Sequence, residues 1–246
     1  MKHLPILLIL ALVQSSALAE MSVSQPDLHL RAQLKARQST LISSEISARI
    51  SQLKIHDGER FTAGQILVGF HCALEEAQLS KSQATLSKKI KTYEVNQQLE
   101  TRHSIGALEL AVSKAEAEEA KADVRITQTM LERCVIHAPF SGKVAEVIAR
   151  PYQSVRPGDP LLEILDDKDL EIEFMAPSRS MPILIAGKHF KVTLDEVGKS
   201  YQAEITRVGG KVDPVSQTIK IYGRIIDKTD ELLPGMSGAI EFPTIP

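Results

Sequence analysis

Tryptophan is absent from the 246 residues, and Phe and Tyr together supply only 4% of them. No Ser/His/Asp-like constellation and no metal-ligand spacing accompanies this poverty of aromatics. Nothing in the residues therefore points to an enzyme, a cofactor or a metal centre. Basic clusters are missing too: 29 Lys and Arg are spread against 31 Asp and Glu, a formal net charge of −2. Binding to nucleic acid or anionic lipid demands concentrated positive charge, so nucleic acid is not an expected partner. Beyond residue 13 no apolar run approaches the roughly 20 residues of a membrane-spanning helix. Only two cysteines occur, Cys72 and Cys134, and none of the 12 prolines lies between Arg60 and Val135.

What is there begins with a leader. Lys2 and His3 precede an apolar run from Leu4 to Val13, and Ala17, Leu18 and Ala19 form the small-x-small pattern that signal peptidase reads. Residues 1–19 are expected to be a cleaved signal peptide. No cysteine follows Ala19, so a lipid anchor is not expected, and the mature chain is expected to be soluble in the periplasm.

The proline-free stretch is rich in Ala, Glu, Lys, Gln and Leu from Ala73 to Arg133, with one glycine, Gly106, just past the middle. Good helix formers interrupted once predict two helices and one turn. Heptad-like spacing of Leu79, Gln83, Leu86, Ile90, Tyr93 and Gln97, and of Leu108, Val112, Ala115, Glu119, Ala122, Ile126 and Thr129, assigns each helix a narrow inner seam. A narrow seam suits an antiparallel coiled-coil hairpin over residues 71–134, with arms of about 45 Å.

An internal repeat flanks the hairpin at an offset of 94 residues, with Ile42–Phe70 aligned on Ile136–Ile164. Residue classes track: Ile46, Ser47, Ala48, Arg49 and Ile50 match Phe140, Ser141, Gly142, Lys143 and Val144. Phe61, Gly64, Leu67 and Phe70 match Val155, Gly158, Leu161 and Ile164. Each copy reads as short strands with a glycine turn, and together residues 37–70 and 135–166 predict one quasi-symmetric sandwich. Beyond Leu165, Leu170, Ile172 and Phe174 alternate with acids. Later Phe190, Val192 and Leu194, then Tyr201, Ala203 and Ile205, and finally Ile219, Ile221 and Ile225 repeat the period of two. A short helix is expected over Ser178–Ala186, stopped by Gly187. Residues 26–36 and 167–246 are thus expected to form a small β-barrel. The fold class is mainly β with one long helical hairpin.

Split lipoyl-like halves around a hairpin, followed by a barrel, resemble the HlyD-like membrane fusion proteins. The most specific stretch runs from Gly210 through Val212, Asp213 and Pro214 to Thr218, then Leu233, Pro234, Gly235 and Met236. It is similar to the family's Val-Asp-Pro and Pro-Gly-Met turns. The resemblance implies an adaptor, with no cofactor, between an inner-membrane transporter of resistance-nodulation-division or ABC type and an outer-membrane channel, assembled as a homo-oligomeric ring. It also implies association with the inner membrane through that partner. In many drug-efflux members the tip carries spaced Arg, Leu and Ser. Here Leu99 keeps the Leu position while Val95 and Gly106 stand at the other two, so docking of that type would use other contacts such as Arg102 and His103. Leu99, Ile105, Gly106 and Leu108 are further candidate contacts at the tip, and for the apolar Leu99, Ile105 and Leu108 partner contact and local packing of the turn both stand. No further membrane-proximal domain is expected. An envelope scaffold is a second reading. A lipoyl or biotin carrier is a third, but it needs a lysine on the turn that the hairpin replaces.

Cys72 and Cys134 lie symmetrically about position 103, which places them opposite one another at the hairpin base. Two readings stand: a disulfide, or two buried thiols with Cα atoms beyond the roughly 7 Å limit for bonding. A metal site using them with His71 and His137 is not expected, since adjacent side chains diverge.

Overall fold

The computed structural model describes residues 30–227 and 231–242. The leader assigned to residues 1–19 lies outside the described residues. In chain order the elements are β1 (Leu30–Ala36), β2 (Ser39–Ser43), β3 (Ala48–Gln52), β4 (Arg60–Phe61), β5 (Ile66–Phe70), α1 (Ala73–Thr101) and α2 (Ala107–Glu132). Then follow β6 (Val135–His137), β7 (Gly142–Val147), β8 (Ser154–Val155), β9 (Pro160–Leu165), β10 (Leu170–Pro177), β11 (His189–Leu194), β12 (Lys199–Asp213), β13 (Thr218–Ile225) and β14 (Ser237–Glu241).

Two four-stranded sheets, ordered β2-β9-β7-β4 and β6-β5-β3-β8, face each other around one core. Exchanging each strand for its counterpart 94 residues away converts the first order into the second. Each sheet therefore takes two strands from each half, and neither half can build a sheet alone. Burial follows the same symmetry: Ile50 and Val144, Phe61 and Val155, Leu67 and Leu161, and Phe70 and Ile164 are all buried in this core. Backbone bonding repeats as well. The N–H of Gly58 donates to Val144 O at 2.8 Å, and that of Tyr152 to Ile50 O at 3.0 Å. Gly58 has φ +76° and Tyr152 φ +67°, so the second copy holds a tyrosine, 74% exposed, in a conformation that favours glycine.

The alternating strands beyond Leu165 close into a barrel ordered β1-β10-β13-β12-β11-β14, with β14 returning to β1. Every second side chain points inward, as a period of two requires: Ile172, Phe174 and Ala176 from β10, and Phe190, Val192 and Leu194 from β11, are buried. Phe174 and Phe190 meet edge to face at 5.5 Å. In place of the short helix expected over Ser178–Ala186 there is a 3₁₀ turn ending at Ile183. Pro182 inside it lacks the N–H that an α-helical bond would use.

α1 and α2 run alongside one another, and their seam differs from the one the apolar spacing predicts. On α1, Leu79, Leu86 and Tyr93 are half-buried, but Gln83, Ile90 and Gln97 are exposed, and Ser82, Lys89 and Asn96 take their inward places. On α2 the inward positions are Leu110, Ser113, Ala117, Ala120, Val124, Thr127 and Leu131. Of the seven predicted there, only Ala122 is partly covered; Leu108, Val112 and Ile126 are exposed. Close approach of two backbones favours small side chains, and the buried hydroxyls carry no desolvation penalty because each bonds its own helix. Ser82 Oγ donates to Gln78 O at 3.1 Å, Ser113 Oγ to Leu110 O at 2.9 Å and Thr127 Oγ1 to Asp123 O at 3.0 Å. Lys89 and Glu116 join the helices by an ion pair of 2.9 Å midway along.

Sheet closure depends on a glycine where β7 passes β9. A Cβ on Gly142 would stand 2.0 Å from Leu165 O, a clash with backbone that no rotamer relieves. Gly142→Ala is expected to lower the unfolding free energy by about 2 kcal/mol or more. Gly210→Ala, where nothing lies within 4 Å, should change it by less than about 0.5 kcal/mol. Chemical denaturation of both variants checks this.

Candidate functional site

The helix pair ends in a short loop between Thr101 and Ala107 whose bonds are local. The N–H groups of Ser104 and His103 donate to Leu99 O at 2.9 Å and Glu100 O at 2.8 Å. His103 takes the left-handed φ of +56°, whereas Gly106 is extended at φ −83° with open space around it. Nothing in the backbone demands a glycine at 106. Leu99 and Ile105 are half-buried; Arg102 and His103 are exposed. Leu108 is 79% exposed, so among these tip residues it offers the largest bare apolar surface.

At the other end Cys72 and Cys134 are joined by a disulfide with a Cα separation of 6.2 Å. Both are buried against the sandwich core. With Glu75 they form the one His/Cys/Asp/Glu cluster of metal-ligand proximity among the described residues; the bond between the sulfurs leaves only a carboxylate donor. His71 is exposed, and His137 Nδ1 lies 3.0 Å from Gly64 O. Beside the bridge, Arg133 reaches the Glu45 carboxylate at 3.2 Å, tying α2 to the loop before β3.

The two barrel turns have different characters. In the first, Asp213 Oδ1 accepts from the N–H of Val215 at 3.0 Å, the N–H of Ser216 at 2.8 Å and the Ser216 hydroxyl at 3.0 Å. Pro214 and this cap hold the β12–β13 hairpin in one shape, with Gln217 at φ +53° and Thr218 Oγ1 2.7 Å from Ser216 Oγ. Val212 is partly exposed and Val215 is 92% exposed, a bare apolar point on a rigid turn. Three donors favour the ionised carboxylate. The Ser216 N–H foremost, then its hydroxyl and the Val215 N–H, hold Asp213 below its ordinary value of 3.8. In the second turn Gly235, at φ +97°, donates to Leu34 O at 2.8 Å, and Leu34 donates to Met236 O at 2.8 Å. Pro234, Gly235 and Met236 thus pin β1 against β14 and close the barrel.

Sequence reading missed Asp167. Its carboxylate side chain, 5% exposed, takes Arg60 at 2.7 Å and Lys143 at 3.3 Å, clamping the sandwich to the link that enters the barrel. Asp166 and Asp169 stand beside it, and no pattern in the chain selects one acid of the three.

No family model matches the chain. It is 23% identical over 214 residues to nodulation protein NolF of Rhizobium meliloti, covering 81% of this chain and 58% of that protein. To multidrug resistance protein MdtA of Salmonella typhimurium it is 24% identical over 222 residues, covering 81% and 54%. The fold superposes on the membrane fusion protein Spr0693 of Streptococcus pneumoniae with a TM-score of 0.76 at 14% identity, covering 89% of this chain and all of that one. The chain is thus similar in sequence to NolF and MdtA and shares the fold of a membrane fusion protein. It spans little more than half the length of the curated relatives it matches. Among the described residues no helix is long and apolar enough to cross a membrane.

Two outcomes follow from this geometry. The disulfide closes a separation of 62 residues, so on the chain-entropy account the Cys72→Ala/Cys134→Ala double variant should lose about 4 kcal/mol in equilibrium denaturation. For Asp213, a depressed folded-state pKa means its stabilisation is present above the unfolded value and is lost as pH falls through the folded one. NMR titration of Asp213 should give a midpoint below 3.8, and Ser216→Ala should move that midpoint upward.

Proposed function

We propose that the chain is a non-catalytic periplasmic adaptor, linking an inner-membrane transporter of resistance-nodulation-division or ABC type to an outer-membrane channel for efflux or export across the envelope. The observation that carries this reading is the helix pair. About 45 Å long, it is tied at its base by a disulfide, springs from a small sandwich and is followed by a closed barrel. An antiparallel coiled-coil hairpin of these proportions encloses no substrate cavity; it offers only surfaces and reach. The names of NolF, MdtA and Spr0693 support the same role, with MdtA favouring efflux over other cargo. The leader-like N-terminus and the disulfide both favour an oxidising compartment. Copies would stand as a ring around the export path.

In this reading the tip, with Leu108, Arg102 and His103 outermost, meets the channel. The rigid Asp213 turn with Val215 exposed belongs to the transporter-facing side. The lipoyl-like sandwich carries no cofactor, because the hairpin occupies the turn on which a carrier lysine would sit. Its task is to hold the rod's two ends side by side and to pass movement of the barrel to the tip through the Asp167 clamp.

A photo-reactive residue replacing Leu108 or Val215 in the full chain, irradiated in the intact envelope, tests the assignment. Leu108 is expected to give an adduct with an outer-membrane channel and Val215 one with an inner-membrane transporter. Adducts containing only soluble enzymes, or none with any envelope protein, would overturn it.

A further inference from the structure

The bridge at the base of the rod has a neighbour that its cross-linking role leaves unexplained. Glu75 follows Cys72 by three residues in the first turn of α1, the spacing at which a side chain reaches back over the residue that opens its helix. One of its carboxylate oxygens and the sulfurs of Cys72 and Cys134 all lie within 4.8 Å of one another. Among the described residues this carboxylate has no ion pair and accepts no hydrogen bond. The cation beside the bridge, Arg133, is taken by Glu45.

While the sulfurs are bonded to each other they offer a cation nothing, and Glu75 alone makes no site. A dithiol reductant changes the donor set. It passes two electrons and two protons to the Cys72–Cys134 bond, leaves as a disulfide, and frees two thiols beside the carboxylate. Zinc binds sulfur at about 2.3 Å and carboxylate oxygen at about 2.0–2.2 Å, so two thiolates on one tetrahedral ion stand about 3.8 Å apart. Side chains anchored 6.2 Å apart at Cα span that distance by turning about χ1, and the Glu75 oxygen supplies a third corner. Cys72 lies at the amino end of α1, where backbone N–H groups favour a thiolate. Both cysteines are buried while Glu75 is partly exposed, so an ion enters past the carboxylate and water completes its shell. Two sulfurs and one oxygen suit a borderline-soft d¹⁰ cation; Mg²⁺ and Ca²⁺ take oxygen alone.

We infer that Cys72, Cys134 and Glu75 form a binding site for a thiophilic divalent cation of the zinc or cadmium type, closed while the disulfide stands and opened by its reduction. Uptake of the ion releases two protons as both thiols become thiolates. Disulfide and metal are then alternatives at one place, and either ties the start of α1 to the end of α2. The 62-residue separation of the cysteines follows no metal-ligand spacing, which hides the set from the sequence. Binding needs no transporter or channel, so it is decided apart from the adaptor reading.

The test uses the full chain, reduced in denaturant, refolded without oxygen and titrated with Cd²⁺. One equivalent per chain is expected, with thiolate-to-cadmium charge-transfer absorption in the ultraviolet, and the oxidised chain should show none of that absorption. Glu75→Gln keeps both cysteines and the bridge. It should retain the absorption and weaken binding by at least about tenfold, a loss seen even when a residue that only orients a metal ligand is removed. Glu76→Gln, one residue further on and exposed, should leave the affinity unchanged. A reduced chain that takes up no cadmium, one that fails to refold with cadmium present, or a Glu75→Gln variant that binds as tightly as the parent would each overturn the inference. So would equal uptake by the oxidised chain, which would mark scattered surface carboxylates instead.

Discussion

Each sheet of the sandwich must borrow two strands from the other half, and the remaining architecture depends on that exchange. Residues 37–70 cannot bury Ile50, Leu67 and Phe70 until residues 135–166 supply Val144, Leu161 and Ile164 from the facing sheet. The chain between them must therefore leave and return at one place. Two helices running out and back meet this condition, and β5 and β6, which pair directly, set their ends side by side. Cys72 follows β5 and Cys134 precedes β6, so sheet pairing itself brings the sulfurs together. The bridge then converts a packing arrangement into a covalent one at the point where leverage on the rod is greatest.

Along the rod the controlling requirement is close approach. Ser82, Ser113, Ala120 and Thr127 fit between two backbones where Leu or Ile would force them apart. Their hydroxyls bond carbonyls of their own helices, which removes the usual cost of burying a polar group. A seam built this way interleaves small residues with Leu110, Val124 and Leu131 and leaves Leu108, Val112 and Ile126 of α2 outside. The same choice that makes the rod slender leaves Val112 and Ile126 exposed on its flank.

The barrel joins this assembly through β1, the first described strand, and through the Asp167 clamp at the sandwich. Leu34 exchanges backbone bonds with Gly235 and Met236, so a turn some 200 residues away in sequence seals the strand that closes the ring of hydrogen bonds. One of the two family-like turns is consequently architectural. The other, built on Asp213, carries the exposed Val215 and is braced by donors from its own loop, which suits a contact point that must keep its shape.

Much of this is legible in the residues because it rests on local rules. The proline-free, helix-forming stretch from Ala73 to Arg133, the 94-residue repeat and the alternation of Ile172 with Phe174 or Phe190 with Val192 each follow from backbone chemistry and side-chain period. The tip near Arg102 and His103 follows from the break in helix formers, and the facing cysteines from simple antiparallel counting. Which stripe of each helix turns inward was decided only in three dimensions. Hydrophobicity selects Leu108, Val112 and Ile126, but the distance between two helices selects Ser113, Ala120 and Thr127, and that distance is set by the whole rod. Asp167 likewise gains its role from Arg60 and Lys143, more than 20 residues away in either case, while Asp166 and Asp169 beside it are equally acidic. Sequence by itself determined where chain elements form and how the halves repeat, because those depend on neighbours within a few residues. Tertiary structure alone decided which faces are spent inside the molecule and which remain for a partner, because that depends on how near the elements can come.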